Sequence, residues 1–162
     1  MVSRRDIDAA LERVPDPELP LSIVELGMVC GVESDGAAVV VNLVPTYTGC
    51  PALPMIERDV LAKIAAVPGV TSCVVRWCYE PAWTPDRITE PGRDKLRAHG
   101  VTTPCLESTE DDTVPLTVSA PPCPYCGATG TRLDSPFGPT RCRSIFFCEA
   151  CRNQFEHIKP VS

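Results

Sequence analysis

The sequence predicts an α+β chain: a small α/β domain of α-β-β-α-β-α order over residues 1–101, a linker over 102–120, and a cysteine-rich β module over 121–162. Three observations predict it. Apolar residues recur at helical spacing in short stretches, and strand-like apolar runs lie between them. Residues 102–120 are rich in Thr, Glu, Asp, Ser and Pro, poor in large apolar side chains, and include an acidic run at 107–112. Beyond them, Cys123-Pro-Tyr-Cys126 and Cys148-Glu-Ala-Cys151 form two close thiol pairs. A chain of 162 residues has room for one ordinary domain and a small one.

The first helix is expected from Ser3, a potential N-cap, with Ile7, Ala10, Leu11 and Val14 on one face and Pro15 and Pro17 at its end. The segment Pro15-Asp-Pro-Glu-Leu-Pro is too proline-rich for regular structure and sets Asp16 and Glu18 in a stiff loop. Residues 24–32 read as a strand with Gly27 as a bulge or close contact, and Cys30 inside it reads as packing. Glu33-Ser-Asp-Gly36 reads as a hairpin turn into a buried strand over 38–44. A third strand is expected over 70–79, with Cys73, Val75 and Trp77 on one face and Val74, Arg76 and Cys78 on the other. A second stiff loop, Glu80-Pro-Ala-Trp-Thr-Pro-Asp86, carries Trp83 and Asp86. It leads into a helix that starts at Thr89 and stops before Gly100.

Between the second strand and the second helix lies Val44-Pro-Thr-Tyr-Thr-Gly-Cys-Pro-Ala-Leu-Pro. Cys50 therefore sits in a strand-to-helix turn, with Pro51 and Pro54 suited to the first helical turn. Unpaired backbone N–H groups and the positive end of the helix dipole favour a thiolate there. Thr46 and Thr48 add hydroxyl donors, and Gly49 permits close approach of the backbone to a ligand. These features mark Cys50 as a functional thiol rather than an inert one.

The net charge of −6 argues against a nucleic-acid partner, and no apolar run is long enough for a membrane span. The N-terminus opens an amphipathic helix rather than a signal peptide, so the cysteines point to metal binding in a reducing cytoplasm. The four thiols of Cys123, Cys126, Cys148 and Cys151 are the soft tetrahedral set that Zn²⁺ prefers, at zinc-ribbon spacing. Strands are expected over 129–133, 140–147 and 154–158, with the metal replacing a core that so short a module could hardly supply. A fifth thiol, Cys142, falls in the central strand, where it either packs beneath the site or replaces a ligand. Four thiolates also suit an iron–sulfur cluster, but zinc is the simplest account.

Four motifs, Asp16-Pro-Glu-Leu-Pro, Leu26-Gly-Met-Val, Pro45-Thr-Tyr-Thr-Gly-Cys-Pro51 and Pro81-Ala-Trp-Thr-Pro-Asp86, resemble the iron–sulfur-assembly domain of SufT-like proteins. The run Ile88-Thr-Glu-Pro-Gly-Arg-Asp-Lys-Leu-Arg, the ribbon and its Ser135-Pro-Phe-Gly-Pro-Thr-Arg-Cys142 resemble the PaaD (PaaJ) family more specifically. That resemblance implies an accessory role in the phenylacetyl-CoA epoxidase system of aerobic phenylacetate catabolism. It implies Cys50 as the reactive cysteine, with Asp16, Glu18, Thr46, Thr48, Trp83 and Asp86 on the shared motifs.

The expected function is therefore a non-enzymatic maturation factor. Cys50 would transiently hold iron or an iron–sulfur cluster, Asp16 or Glu18 would offer oxygen ligands, and the ribbon would dock the client. One thiolate is too few for a stable cluster, so a homodimer-bridged, glutathione-assisted or client-shared species is expected. The clients implied are the oxygenase subunits or the ferredoxin-type reductase. Two other classes stand beside this one: a structural subunit of the epoxidase, and an enzyme using Cys50 on thioesters. The enzyme reading lacks a histidine partner, since His99 and His157 fall in no recognisable dyad.

Overall fold

The computed structural model describes residues 2–104 and 120–159. It divides into two compact units, residues 1–95 and 96–162. The acidic run at 107–112 and Cys105 lie outside the described residues.

In the first unit, α1 (Arg4–Leu11) buries Ile7, Ala10 and Leu11 on one face. Ser3 occupies the N-cap position but makes no side-chain cap. Its carbonyl instead accepts the amides of Asp6 and Ile7. Strand β1 (Val29–Asp35) turns at Gly36, where φ is +60°, into β2 (Ala38–Leu43). Helix α2 (Leu53–Ala65) then crosses to β3 (Ser72–Trp77). The sheet order is β1-β2-β3, antiparallel between the first two and parallel between the last two.

Val39, Val41 and Leu43 point inward from β2, and Ile56, Val60 and Ile64 form the buried stripe of α2. Burying one such side chain contributes about 1.5–3 kcal/mol. This stripe holds α2, since its N-cap residue, Ala52, offers no capping side chain. On β3, Cys73, Val75 and Trp77 share the half-buried face while Val74 and Arg76 are exposed, as alternation requires.

The expected strand over 24–32 forms only from Val29. Ahead of it, Ser22 and Glu25 make a reciprocal capping box. The Ser22 amide donates to Glu25 Oε2 at 3.0 Å, and the Glu25 amide to Ser22 Oγ at 3.1 Å. Gly27 follows at φ +71°, and a Cβ there would lie 2.2 Å from the Arg87 carbonyl oxygen. Residues 22–28 are therefore a turn held against a second loop.

After a 3₁₀ turn at Pro85–Arg87, α3 (Glu90–Ala98) starts behind Thr89, whose Oγ1 accepts the Gly92 amide at 3.2 Å. It ends before Gly100, at φ +73°.

The second unit is a four-stranded sheet of order β4-β7-β6-β5. Its strands are β4 (Val101–Thr102), β5 (Thr131–Ser135), β6 (Arg143–Cys148) and β7 (Gln154–Ile158). Val101 and Thr102, placed by sequence at the end of the first domain and the start of the linker, pair with Glu156 and His157 of β7. The apolar cluster beside the thiols is small: Phe146 and Phe155, with ring centroids 5.9 Å apart, join Cys123 and Cys148.

Candidate functional site

The four ribbon thiols converge as their spacing requires, all within 4.8 Å of one another. Cys123 and Cys151 Sγ are 3.6 Å apart, as are Cys126 and Cys148 Sγ. A tetrahedron with sulfurs about 2.3 Å from its centre has edges of about 3.8 Å, so the set fits a zinc ion.

Each knuckle is closed by a left-handed residue directly after its second cysteine: Gly127 at φ +74° and Arg152 at φ +63°. The Gly127 amide donates to the Cys123 carbonyl, and the Arg152 amide to the Cys148 carbonyl. Crowding splits the thiols' ionisation. Cys151 is drawn down to about 7, first by the Asn153 amide and then by its thiol neighbours. Cys126 is helped towards ionisation by the Ala128 amide. Burial and the thiols of Cys148, Cys151 and Cys123 outweigh that and raise it to about 11. A divalent cation removes this conflict by ligating all four as thiolates. Cys142 is not in the set: it precedes β6, with Thr140 Oγ1 3.1 Å from its sulfur. This is a zinc-binding ribbon.

In the first unit, the strand-to-helix loop holds Cys50 half-buried. The Cys50 amide donates to the Tyr47 carbonyl at 3.1 Å, and the helix starts only at Leu53, behind the N-cap Ala52. Pro54 lies in the first turn as expected, whereas Pro51 and Cys50 precede the helix. The dipole's pull on Cys50 is accordingly weaker than at a true N-terminal position. Gly49 has a local reason: a Cβ there would come within 3.0 Å of the Tyr47 ring. Thr46 is half-buried and Thr48 exposed.

Asp16 Oδ1 accepts the amides of Glu18 and Leu19, each at 2.8 Å, so this carboxylate shapes its own loop. Glu18 is exposed. Trp83 is 9% exposed and donates its indole N–H to the Leu26 carbonyl at 2.8 Å. Arg87 Nε donates to the Gly27 carbonyl at 2.8 Å, and the Thr89 amide to the Glu25 carbonyl at 2.9 Å. The Pro-Ala-Trp loop, which begins with a cis Glu80–Pro81 peptide, is thus stitched to the Leu-Gly-Met turn. Asp86 is exposed, with Thr84 Oγ1 donating to it at 3.4 Å. The Val44 amide donates to the Met28 carbonyl at 2.8 Å, tying the Cys50 loop's first residue to the same turn.

Two features escape a reading of the sequence. Cys30, which reads as packing, is exposed, because a register shift between Val29 and Gly31 bulges it out of the β1–β2 ladder. His157, in the ribbon, is 3% exposed and lies 2.8 Å through Nδ1 from Thr102 Oγ1. Burial lowers its pKa to about 4, so it is neutral in the folded protein at neutral pH. No sequence signal distinguishes it from a surface histidine.

Among the described residues, no helix is long and apolar enough to cross a membrane.

The comparisons with known proteins match the two ends of the chain to two different families. Residues 4–77 match the iron–sulfur cluster assembly protein family, and residues 107–159 match the PaaD zinc beta ribbon domain. The chain is 36% identical over 96% of its length to an Escherichia coli (strain K12) protein, of which it covers 92%. That protein is named as one of the subunits of a "Putative 1,2-phenylacetyl-CoA epoxidase". The chain is also 36% identical over 53% of its length to the "Fe-S protein maturation auxiliary factor YitW" of Bacillus subtilis (strain 168), covering 85% of that protein. A crystal structure of a domain of unknown function from Bacillus anthracis superposes with a TM-score of 0.55 at 33% identity. The match covers 57% of this chain and 89% of the other. The relatives of the first unit are named as maturation factors rather than enzymes. With an iron–sulfur-assembly domain, a PaaD-type zinc ribbon and a relative matched nearly end to end, the chain belongs to the PaaD family.

Proposed function

We propose that this protein is the maturation accessory of a phenylacetyl-CoA epoxidase system, delivering iron or an iron–sulfur cluster to the di-iron oxygenase subunits or to the ferredoxin-type reductase. The observation that carries the reading is the placement of Cys50. It lies in the loop between β2 and α2, and that loop's first residue is bonded to the turn that also anchors the Trp83 loop. A half-buried thiol on a braced loop suits brief ligation of a metal cargo that must later leave. In this reading Cys50 supplies the thiolate, Thr46 and Thr48 border it, and Asp16 and Trp83 fix the surrounding loops. Glu18 and Asp86 present exposed carboxylates, hard ligands suited to iron. The ribbon's thiols belong to zinc, which leaves its outer surface to dock the client in the cytoplasm.

The deciding experiment purifies the oxygenase and reductase from cells with wild-type protein, with the Cys50→Ala variant and with none. The expected result is full client subunits with depleted iron or cluster in the last two cases. Full metal content in all three would overturn the proposal. A protein that remains bound in fixed stoichiometry without changing client metal would be a structural subunit. Turnover of a thioester by the isolated protein would make it an enzyme.

A further inference from the structure

The end of the first sheet from which the Cys50 loop departs carries two more thiols. Strands β2 and β3 run parallel, so Cys78, just after Trp77, leaves the sheet at the same end as Val44. Strand β1 runs the other way and therefore begins there, with Cys30 as its second residue. The register makes this concrete. Leu43 pairs with Val29 on one side and with Trp77 on the other, and its carbonyl accepts the Cys78 amide at 2.7 Å. The bulge at Cys30 turns that side chain out of the ladder at the same sheet end that Cys78 leaves, and the Cys78 thiol is near enough to oppose ionisation of the Cys30 thiol. Both are free thiols, Cys30 exposed and Cys78 half-buried.

We propose that Cys30 and Cys78 form a second thiol site, a two-thiolate ligand pair for iron or an iron–sulfide cluster. The assignment rests on the cargo-handling function proposed above and adds the thiolates that Cys50 alone lacks. The surroundings suit such a ligand. Arg87, anchored on the Gly27 carbonyl, favours the Cys30 thiolate electrostatically. Iron–sulfide units on thiolates carry net negative charge, and Arg87 has the opposite sign. Ligation needs no change of oxidation state: each thiol releases its proton to solvent as its sulfur bonds iron.

The test uses the full chain with zinc already in the ribbon. Under anaerobic conditions it is given Fe(II) and inorganic sulfide, and iron, zinc and sulfur-to-iron charge-transfer absorption are measured. The wild type is expected to retain iron beyond its zinc. The Cys30→Ser/Cys78→Ser protein is expected to lose at least fivefold of that iron with zinc and circular dichroism unchanged. Cys30→Ser alone, at an exposed position, guards against a folding artefact and is expected to show the same direction. Wild-type iron retention in the double variant, with loss in Cys50→Ser, would overturn the pair and leave the cargo function standing. Absence of iron uptake by the wild type would overturn both.

Discussion

The Trp83 indole donates to the Leu26 carbonyl across fifty-seven positions of sequence, at 2.8 Å and out of solvent. This bond joins two of the motifs by which the domain resembles its relatives, and Arg87 and Thr89 repeat the stitch on either side of Leu26, at the carbonyls of Gly27 and Glu25. Trp83 therefore braces the loop that leads towards the thiols. Trp83→Phe keeps the ring but leaves a buried carbonyl unpaired, an expected loss of about 1–3 kcal/mol in a urea titration of the zinc-loaded protein. A change below about 0.5 kcal/mol would show that water replaces the indole.

Asp16 tests whether a loop carboxylate is structural or a ligand. Asp16→Ala removes the acceptor for the Glu18 and Leu19 amides and should lower stability by about 1 kcal/mol. Asp16→Asn keeps an acceptor oxygen while removing the charge, so it should hold the loop. If the Asn variant also fails to load iron into the client, the carboxylate is a ligand. Normal loading would confine Asp16 to the loop.

Thiol reactivity should follow ionisation more than exposure. Burial holds both the Cys30 and Cys73 thiols above the ordinary thiol range, and the thiolate is the nucleophile. Alkylation of the zinc-loaded protein near pH 7.5, followed by peptide mass mapping, should label Cys50 ahead of both. Faster labelling of Cys30 would mean that its exposure outweighs its raised pKa.

His157 gives the ribbon an acid limit. Its pKa is about 4 folded against about 6.5 unfolded, so the unfolded chain binds more protons between those values. Its contribution is complete above about pH 6.5 and is lost as pH falls towards about 4, at up to about 1.4 kcal/mol per pH unit. Zinc thiolates also titrate in acid, so the measurement is the difference between wild type and His157→Leu. The variant should show a flatter decline in ribbon stability across that window. Parallel curves would assign the acid sensitivity to zinc loss alone.

The ribbon should unfold by itself. The apolar cluster beside the metal set is Phe146 and Phe155 around two of the thiols, too small to persist without metal. Chelation or Cys148→Ser should release amide protection over 121–159 and spare 4–77 in a hydrogen-exchange experiment. Equal loss in both regions would make the two units one cooperative block.

The ribbon was legible because its signal is local: two Cys-x-x-Cys pairs declare both the ligands and the turns between them. Helix α2 and strand β2 were legible for a related reason, since apolar spacing reports a buried face directly. The first strand is shorter than its apolar run, because among Ile23, Val24, Leu26 and Met28 lie the Ser22–Glu25 capping box and the left-handed Gly27, which periodicity does not report. Alternation assigns Cys30 to packing, and the bulge that exposes it leaves no periodic signal. Trp83 and His157 depend on partners far along the chain, at Leu26 and Thr102, and neither contact leaves a trace in local pattern.

The short strand β4 changes what residues 105–119 connect. Leu96 to Thr102 already belong to the second unit, where Val101 and Thr102 pair with β7 and Gly100 accepts the Glu156 amide at 3.0 Å. The chain therefore leaves the ribbon unit and returns to the same unit. A single proteolytic cut in that interval would yield two fragments still registered through β4 and β7, so a nicked protein should co-elute as one species and separate only in denaturant.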